Sequence, residues 1–276
     1  MSNTIDAALL DKAVFAEELI NEAQHPLAPI ALFTSRFDAV EVGSVNVKFP
    51  RVGTGGTETN PTDYIGGSAT MDNVAVTVNE KSRPFEITNV ELNNGIKLME
   101  LERAIFTEFV TDLTKEVTAL MTEANFGTDA TVDTSAFTVA DLPKLAVGAK
   151  GAEKVCILEP AQYATVIPTN GDGLDPMKSA YGFSQGVHMV EAGLSADAQA
   201  FSGGKTAIAI AGGLPNKWTS FAAGEEHTII PTILGLNILY RRWTDSNTGR
   251  HHGNFVCLFG ASVADAGAGI VAIDQP

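Results

Sequence analysis

Cysteine is scarce in this 276-residue chain: there are two, Cys156 and Cys257, and no CxxC pair. That disfavours a structural zinc site. Both lie in apolar, strand-like runs, where a free thiol behaves as a small hydrophobe, and a disulfide between them is disfavoured in a reducing compartment. Basic residues are also few, 18 Lys and Arg against 33 Asp and Glu, giving a formal net charge of −15. Direct nucleic-acid binding needs basic patches that neutralise phosphates, so the composition argues against it. No segment is apolar enough to read as a membrane span, and the N-terminus has no basic region leading into an apolar stretch. Synthesis and assembly in a cytoplasm are therefore expected. Only 18% of residues are charged, while 45% are hydrophobic, too apolar for a disordered chain. So modest a charged fraction suits a protein whose surface is largely covered by other subunits; acidity for solubility alone accounts for the net charge equally well.

What is present is a helical pattern of unusual length. From Lys97 to Phe126, Leu98, Leu101, Ile105, Phe109, Leu113, Val117, Leu120 and Ala124 recur at steps of three or four, forming one stripe. Gly95 precedes the segment, Gly127 stands where a left-handed cap belongs, and neither Gly nor Pro interrupts it. At 1.5 Å per residue it would be ~45 Å long and act as a spine. Ahead of it Val45, Val47 and Phe49 alternate with polar residues, as do Val74, Val76 and Val78 and, beyond a break at Pro84, Phe85 and Ile87. That is the period of strands with one covered face. Between the two runs, Gly53 to Gly67 has too few apolar residues for a core and reads as a long two-stranded loop projecting into solvent. Such a ribbon has unpaired edges, which a neighbouring copy would cover.

This order resembles that of the major capsid proteins of tailed bacteriophages with the Hong Kong 97-type fold, over nearly the whole length. Val155 to Leu158, then Glu159, Pro160 and Tyr163, look like the family's strand, proline and Tyr-bearing helix. Thr206 to Ala211 and Ile229 to Trp243 read as later strands, with Asn254 to Phe259 returning across the loop Thr244 to Gly253. The resemblance implies an α+β fold: an N-terminal arm over residues 1–40, an extended β-loop with flanking strands over 41–90, a peripheral domain with the spine helix over 91–150, an axial domain over 151–232, and return strands over 233–276. It further implies a structural protein, not an enzyme, that self-assembles into pentamers and hexamers. These would form the icosahedral head of a tailed phage, in the virion, and enclose double-stranded DNA without sequence-specific binding. The implied partners are other copies, a portal and, where present, a separate scaffolding or decoration protein; no cofactor, metal or membrane is implied. Many relatives carry a scaffolding segment ahead of the arm; none is seen here, which implies a separate scaffold or none if Met1 is the encoded start. An encapsulin-like nanocompartment shell shares the fold and is the alternative.

The N-terminal segment reads as a short helix from about Asp6 to Ile20, broken by His25 to Pro29. It either lies across a neighbouring subunit or packs on its own domain. The candidate subunit-interface residues are Phe15 on the arm, Arg51, Tyr64 and Lys81 on or beside the extended loop, and Arg241, Arg242 and Arg250 around the late hairpin. By the resemblance that hairpin lies near local three-fold contacts, where the arginines would meet acidic residues of neighbours; solvated surface charge is the plainer reading of each. Some family members weld their shells through a lysine to asparagine bond. Lys48 and Lys81 flank the loop here, but no full lysine, asparagine and glutamate set is matched, so noncovalent stabilisation is expected.

Three coincidences with enzyme motifs are outweighed by their context. Gly182 to Gly186 fits G-x-S-x-G around Ser184, with Asp245 and His251 following in the order of an α/β serine hydrolase, the remaining alternative; but a loop precedes it and a strand-like run follows. Ser202 to Thr206 ends in Gly-Lys-Thr, yet neither Gln199 nor Ala200 supplies the upstream glycine of a phosphate-binding loop, and a strand follows. His251 and His252 are adjacent, so on a strand they point to opposite faces and do not make one metal shell.

Overall fold

The computed structural model describes residues 7–52, 69–88, 98–127, 137–150, 153–166, 181–195, 198–215, 225–245 and 247–273. Helix α1, Ala7–Ala31, runs on through Pro26 and Pro29 and does not end near Ile20 as read from the sequence. A proline inside a helix costs about 3 kcal/mol or more. Tertiary packing offsets that cost: Leu19, Ala23, Leu27 and Ile30, spaced four, four and three apart, are all buried, and each large apolar side chain contributes about 1.5–3 kcal/mol. The stripe packs against the spine helix of the same chain. Thr34 Oγ1 donates to the Ile30 carbonyl at 2.9 Å and closes the helix end.

Strand β1, Thr34–Asp38, is followed by β2, Gly43–Val52, and β3, Ala69–Ile87. β2 and β3 pair antiparallel from Gly43↔Val78 to Val52↔Ala69, so the two alternating runs form one hairpin. Val47, Val76 and Val78 are buried whereas Ser44, Asn46, Ala75 and Thr77 are exposed, the two-residue period expected of a covered face. The Gly53 to Gly67 excursion lies outside the described residues. β3 continues through Pro84, where the sequence suggested a break. From Asn79 to Ile87 it pairs on one side with the late strand His251–Val263, and β2 no longer flanks it; proline is tolerated at such an edge.

The spine helix α2, Leu98–Thr118, is one element but ends short of Phe126. The chain then tightens: Leu120 N–H donates to the Val117 carbonyl at 3.1 Å and Met121 N–H to that of Thr118 at 3.0 Å. Met121 turns fully into the core. Its carbonyl accepts from Ser195 Oγ at 2.7 Å, and the Leu120 carbonyl accepts from Asn125 Nδ2 at 2.7 Å. With those carbonyls taken by side chains, the helical series stops. A single turn, α3 (Glu123–Phe126), restarts it and ends at Gly127 with φ +76°, the positive φ that favours glycine.

The remaining elements are α4 (Leu142–Gly148), β4 (Val155–Leu158), α5 (Pro160–Val166), β5 (Val187–Met189), β6 (Ala198–Gly203), β7 (Ile208–Gly213), β8 (Glu226–Pro231), β9 (Asn237–Thr244), β10 (His251–Val263) and β11 (Gly269–Ile273). Two sheets result. The larger has the order β1-β7-β10-β3-β2, with β9 also on β10 and β8 on β9; the smaller has the order β11-β6-β4-β5. The strands of residues 151–232 divide between them, β4 to β6 in the smaller sheet and β7 and β8 in the larger, and β11 returns to the smaller.

Alternation sorts the side chains. On β7, Ile208 and Ile210 face the helices α1 and α2, while Ala209 and Ala211 face the β2–β3 hairpin's valines. On β4, Val155 and Ile157 join that same central core, while Cys156 and Leu158 face a second one with Leu142 and Leu145 of α4. Phe201 of β6 holds the junction, edge-on to Phe33 at 5.5 Å and to Phe126 at 5.1 Å. Both cysteines are free and buried, and burial pushes the Cys257 thiol up to about 12 and that of Cys156 up as well, as expected of inert structural thiols.

Candidate functional site

Strand register brings charge together at one end of the larger sheet. Arg242 stands opposite Glu226 across β8–β9 and its Nε donates to Glu226 Oε2 at 3.1 Å. Arg241 pairs with Glu225 and lies over the Trp243 ring, 5.8 Å from its centroid. Trp243 is opposite His252 and stacks on it, centroids 5.4 Å apart and planes 13° off parallel. His252 is in turn opposite Glu86 on β3, whose carboxylate also receives Arg250. All three arginines expected at an interface thus stand around the Trp243–His252–Glu86 row, Arg241 and Arg242 as strand neighbours directed to opposite faces, each with a carboxylate of its own chain.

Lys81 lies on β3 farther from this end and reaches Glu116 of α2 at 2.7 Å; Arg83 reaches Asp112 at 3.2 Å and also Glu108. These pairs wall a groove of about 300 Å³ floored by Phe109 and Leu113. Arg51 stands in β2 opposite Thr70. Phe15 falls within α1, its side chain outside what is described, and Tyr64 lies outside the described residues. Half-exposed ion pairs contribute about 0–1 kcal/mol. Lys81→Ala is therefore expected to lower the unfolding free energy in urea by no more than that, so a marked loss of self-association at unchanged stability would assign Lys81 to a contact between copies.

Beneath the row sits a residue that sequence reading missed. Glu102 of α2 is fully buried, and Tyr240 of β9 donates its hydroxyl to Glu102 Oε1, while Oε2 has no hydrogen-bond partner among the described residues. Burial raises the Glu102 carboxyl above its ordinary range, against the lowering effect of the Tyr240 hydroxyl and of Arg242. The signal was in the spacing: Glu102, Phe106, Phe109, Leu113 and Val117 fall on one helical face. A raised folded-state value means that the native protein holds a proton the unfolded chain has released. Stability should therefore fall as pH rises from about 4.5 through the raised value, and level off above it. In Glu102→Gln that contribution disappears, so the urea midpoint of the variant should gain on the parent between pH 4.5 and 7.5; a constant difference would contradict it.

The enzyme-like motifs do not assemble. Ser184 Oγ is 3.4 Å from the Lys154 carbonyl, Asp245 accepts from Thr248 and Asn247, and His251 meets Thr244, so no hydrogen bond joins the three. Strand β5 follows Gly186 where a nucleophile elbow needs a helix. Lys205 sits in the turn between β6 and β7, again with no helix to receive a phosphate. His251 and His252 begin β10, and no group of three or more His, Cys, Asp or Glu among the described residues is arranged to hold a metal. Among the same residues no helix is long and apolar enough to cross a membrane.

No family model matches the sequence, and no curated protein does. Solved structures do. A virus-like particle from Pyrococcus furiosus matches with a TM-score of 0.56 at 11% identity, over 94% of this chain and 96% of that one. The capsid of the cyanophage P-SCSP1u matches at 0.54 and 13%, over 89% and 87%, and the capsid of a native GTA particle at 0.53 and 15%, over 90% of each. At such identities the common property is the fold: this chain has the Hong Kong 97-type fold of phage capsid subunits.

Proposed function

We propose that this chain is a major capsid protein that assembles into pentamers and hexamers, closing an icosahedral shell around double-stranded phage DNA. The observation that carries this reading is the likeness to capsid subunits over about nine-tenths of both chains, since a partial match would leave room for another activity. In this reading the larger sheet with α1 and α2 is the peripheral domain, and the smaller sheet with α4 and α5 is the core of the axial domain. The chain's work is geometric. Small rotations between the two sheets, which meet in the shared core around Phe201, would fit one sequence to five-fold and six-fold surroundings. The net charge of −15 suits an inner wall that does not adhere to the DNA it encloses. The portal, scaffold or decoration partners belong to the same proposal.

A shell that encloses cargo enzymes, as an encapsulin does, is the second reading, favoured by the likeness to a virus-like particle. Particles recovered from the source culture and treated with nuclease separate the two. Protected double-stranded DNA supports the phage head; protein cargo without protected DNA supports the nanocompartment; absence of particles overturns both.

A further inference from the structure

One cleft of this acidic chain is cationic. It encloses about 430 Å³ and is lined by Ser35, Arg36, Phe37, Lys205, Ile233 and Leu234, among others. Its parts are fixed in place. Ser35 Oγ donates to the Lys205 carbonyl at 2.8 Å, tying the β6–β7 turn to β1. Gly235 has φ +69°, and a Cβ there would stand 2.5 Å from Arg36 Nη1, so the glycine lets the guanidinium lie against the β8–β9 turn. Arg36 is paired with Asp38, whereas Lys205 meets no carboxylate among the described residues. Ile233, at the rim, is 50% exposed.

Beyond the other end of β1 is a corner of complementary chemistry. Ala39 is buried, its N–H donating to the Gly212 carbonyl at 3.1 Å, and the chain then turns outward. Val40 and Val42 are each 58% exposed, and exposed Glu41 between them makes no ion pair among the described residues. Strand β1 separates the corner from its own cleft at a rise of about 3.3 Å per residue, so the two features do not satisfy each other within one copy.

We propose that the Val40–Glu41–Val42 corner of one copy seats in the Lys205 cleft of the next, the carboxylate on the ammonium and the valines on Ile233 and Phe37. This rests on the capsid reading and names one of the contacts that reading requires. Charge complementarity selects the occupant: in a chain with 33 acidic against 18 basic residues, the corner offers an acid flanked by apolar surface to a cation beside apolar surface. Because corner and cleft are different patches of one chain, the contact is head-to-tail, the kind that closes rings.

Charge exchange tests it. Lys205→Glu and Glu41→Lys, each alone, are expected to raise the concentration needed for assembly at least about tenfold, with the melting temperature of the unassembled subunit unchanged. Combining the two should restore assembly to near the parent level. If a reversed variant misfolds, Lys205→Ala and Val42→Ser carry the same test, each weakening assembly. Parent and single variants that form shells alike, or a double variant no better than the singles, would overturn the contact while leaving the capsid reading intact. A parent that never assembles overturns the reading and the contact with it.

Discussion

Phe255→Ala should lower stability by about 3–5 kcal/mol, the range for emptying a large aromatic from a packed core. The ring is fully buried at the middle of β10. Its centroid is 4.8 Å from that of Tyr240, 5.1 Å from Phe106, 6.1 Å from Phe85 and 6.5 Å from Phe109. Those four come from β9, α2 and β3, so one side chain joins the spine helix to three strands. Its removal leaves rings on all sides with no partner atoms, and α2 cannot close the gap without leaving the alternating face that Cys257 and Phe259 also occupy. Tyr240 would also lose the stacking that holds its hydroxyl on Glu102. Urea unfolding reads the effect as a midpoint shift at constant slope; a loss under about 1 kcal/mol would mean that Phe255 does not organise this core.

Gly260→Val is the second large effect, expected at about 3 kcal/mol or more, at or above the upper end of overpacking costs. Gly260 of β10 pairs with Ala211 of β7. A Cβ there would stand 2.1 Å from the Thr77 carbonyl oxygen and 3.1 Å from Val78 Cα, both backbone atoms of β3. β3 leaves β10 just beyond the Phe259↔Asn79 pair and passes over it toward β2. Only a residue without a side chain allows that crossing, and no rotamer change relieves it. The substitution should lift the β2–β3 hairpin from Leu258, Ala209 and Ala211, and the subunit should lose assembly competence together with stability. Hydrogen exchange along Val74–Val78 faster than in the parent locates the damage; unaltered exchange would contradict this placement.

Much of the architecture was legible in the sequence where one periodicity dominated. The valines of β2 and β3 have a covered face to alternate against, and the stripe from Phe109 to Val117 is buried as its spacing requires. Legibility failed where tertiary contacts override local preference. Pro26 and Pro29 read as a helix stop because nothing local shows that Leu27 and Ile30 are needed in the core. The spine stops at Thr118, where the backbone tightens, and Asn125 and Ser195, one near and one distant, take the next carbonyls, Leu120 and Met121, which no helical pattern reveals as contested. Ala124, counted in the stripe, is exposed, whereas Met121 is buried. At the candidate site the arginines were noticed for their charge, but their carboxylate partners depend on strand register, which sequence does not specify. Glu102 falls outside a stripe defined by apolar residues, although it sits on the buried face of its helix.

The most direct measurement is electron microscopy of the chain expressed alone, after size-exclusion chromatography. Closed shells, or discrete pentamers and hexamers, are the expected result; a stable monomer or dimer at high concentration, with no higher assembly even when phage lysate is added, would contradict the capsid reading.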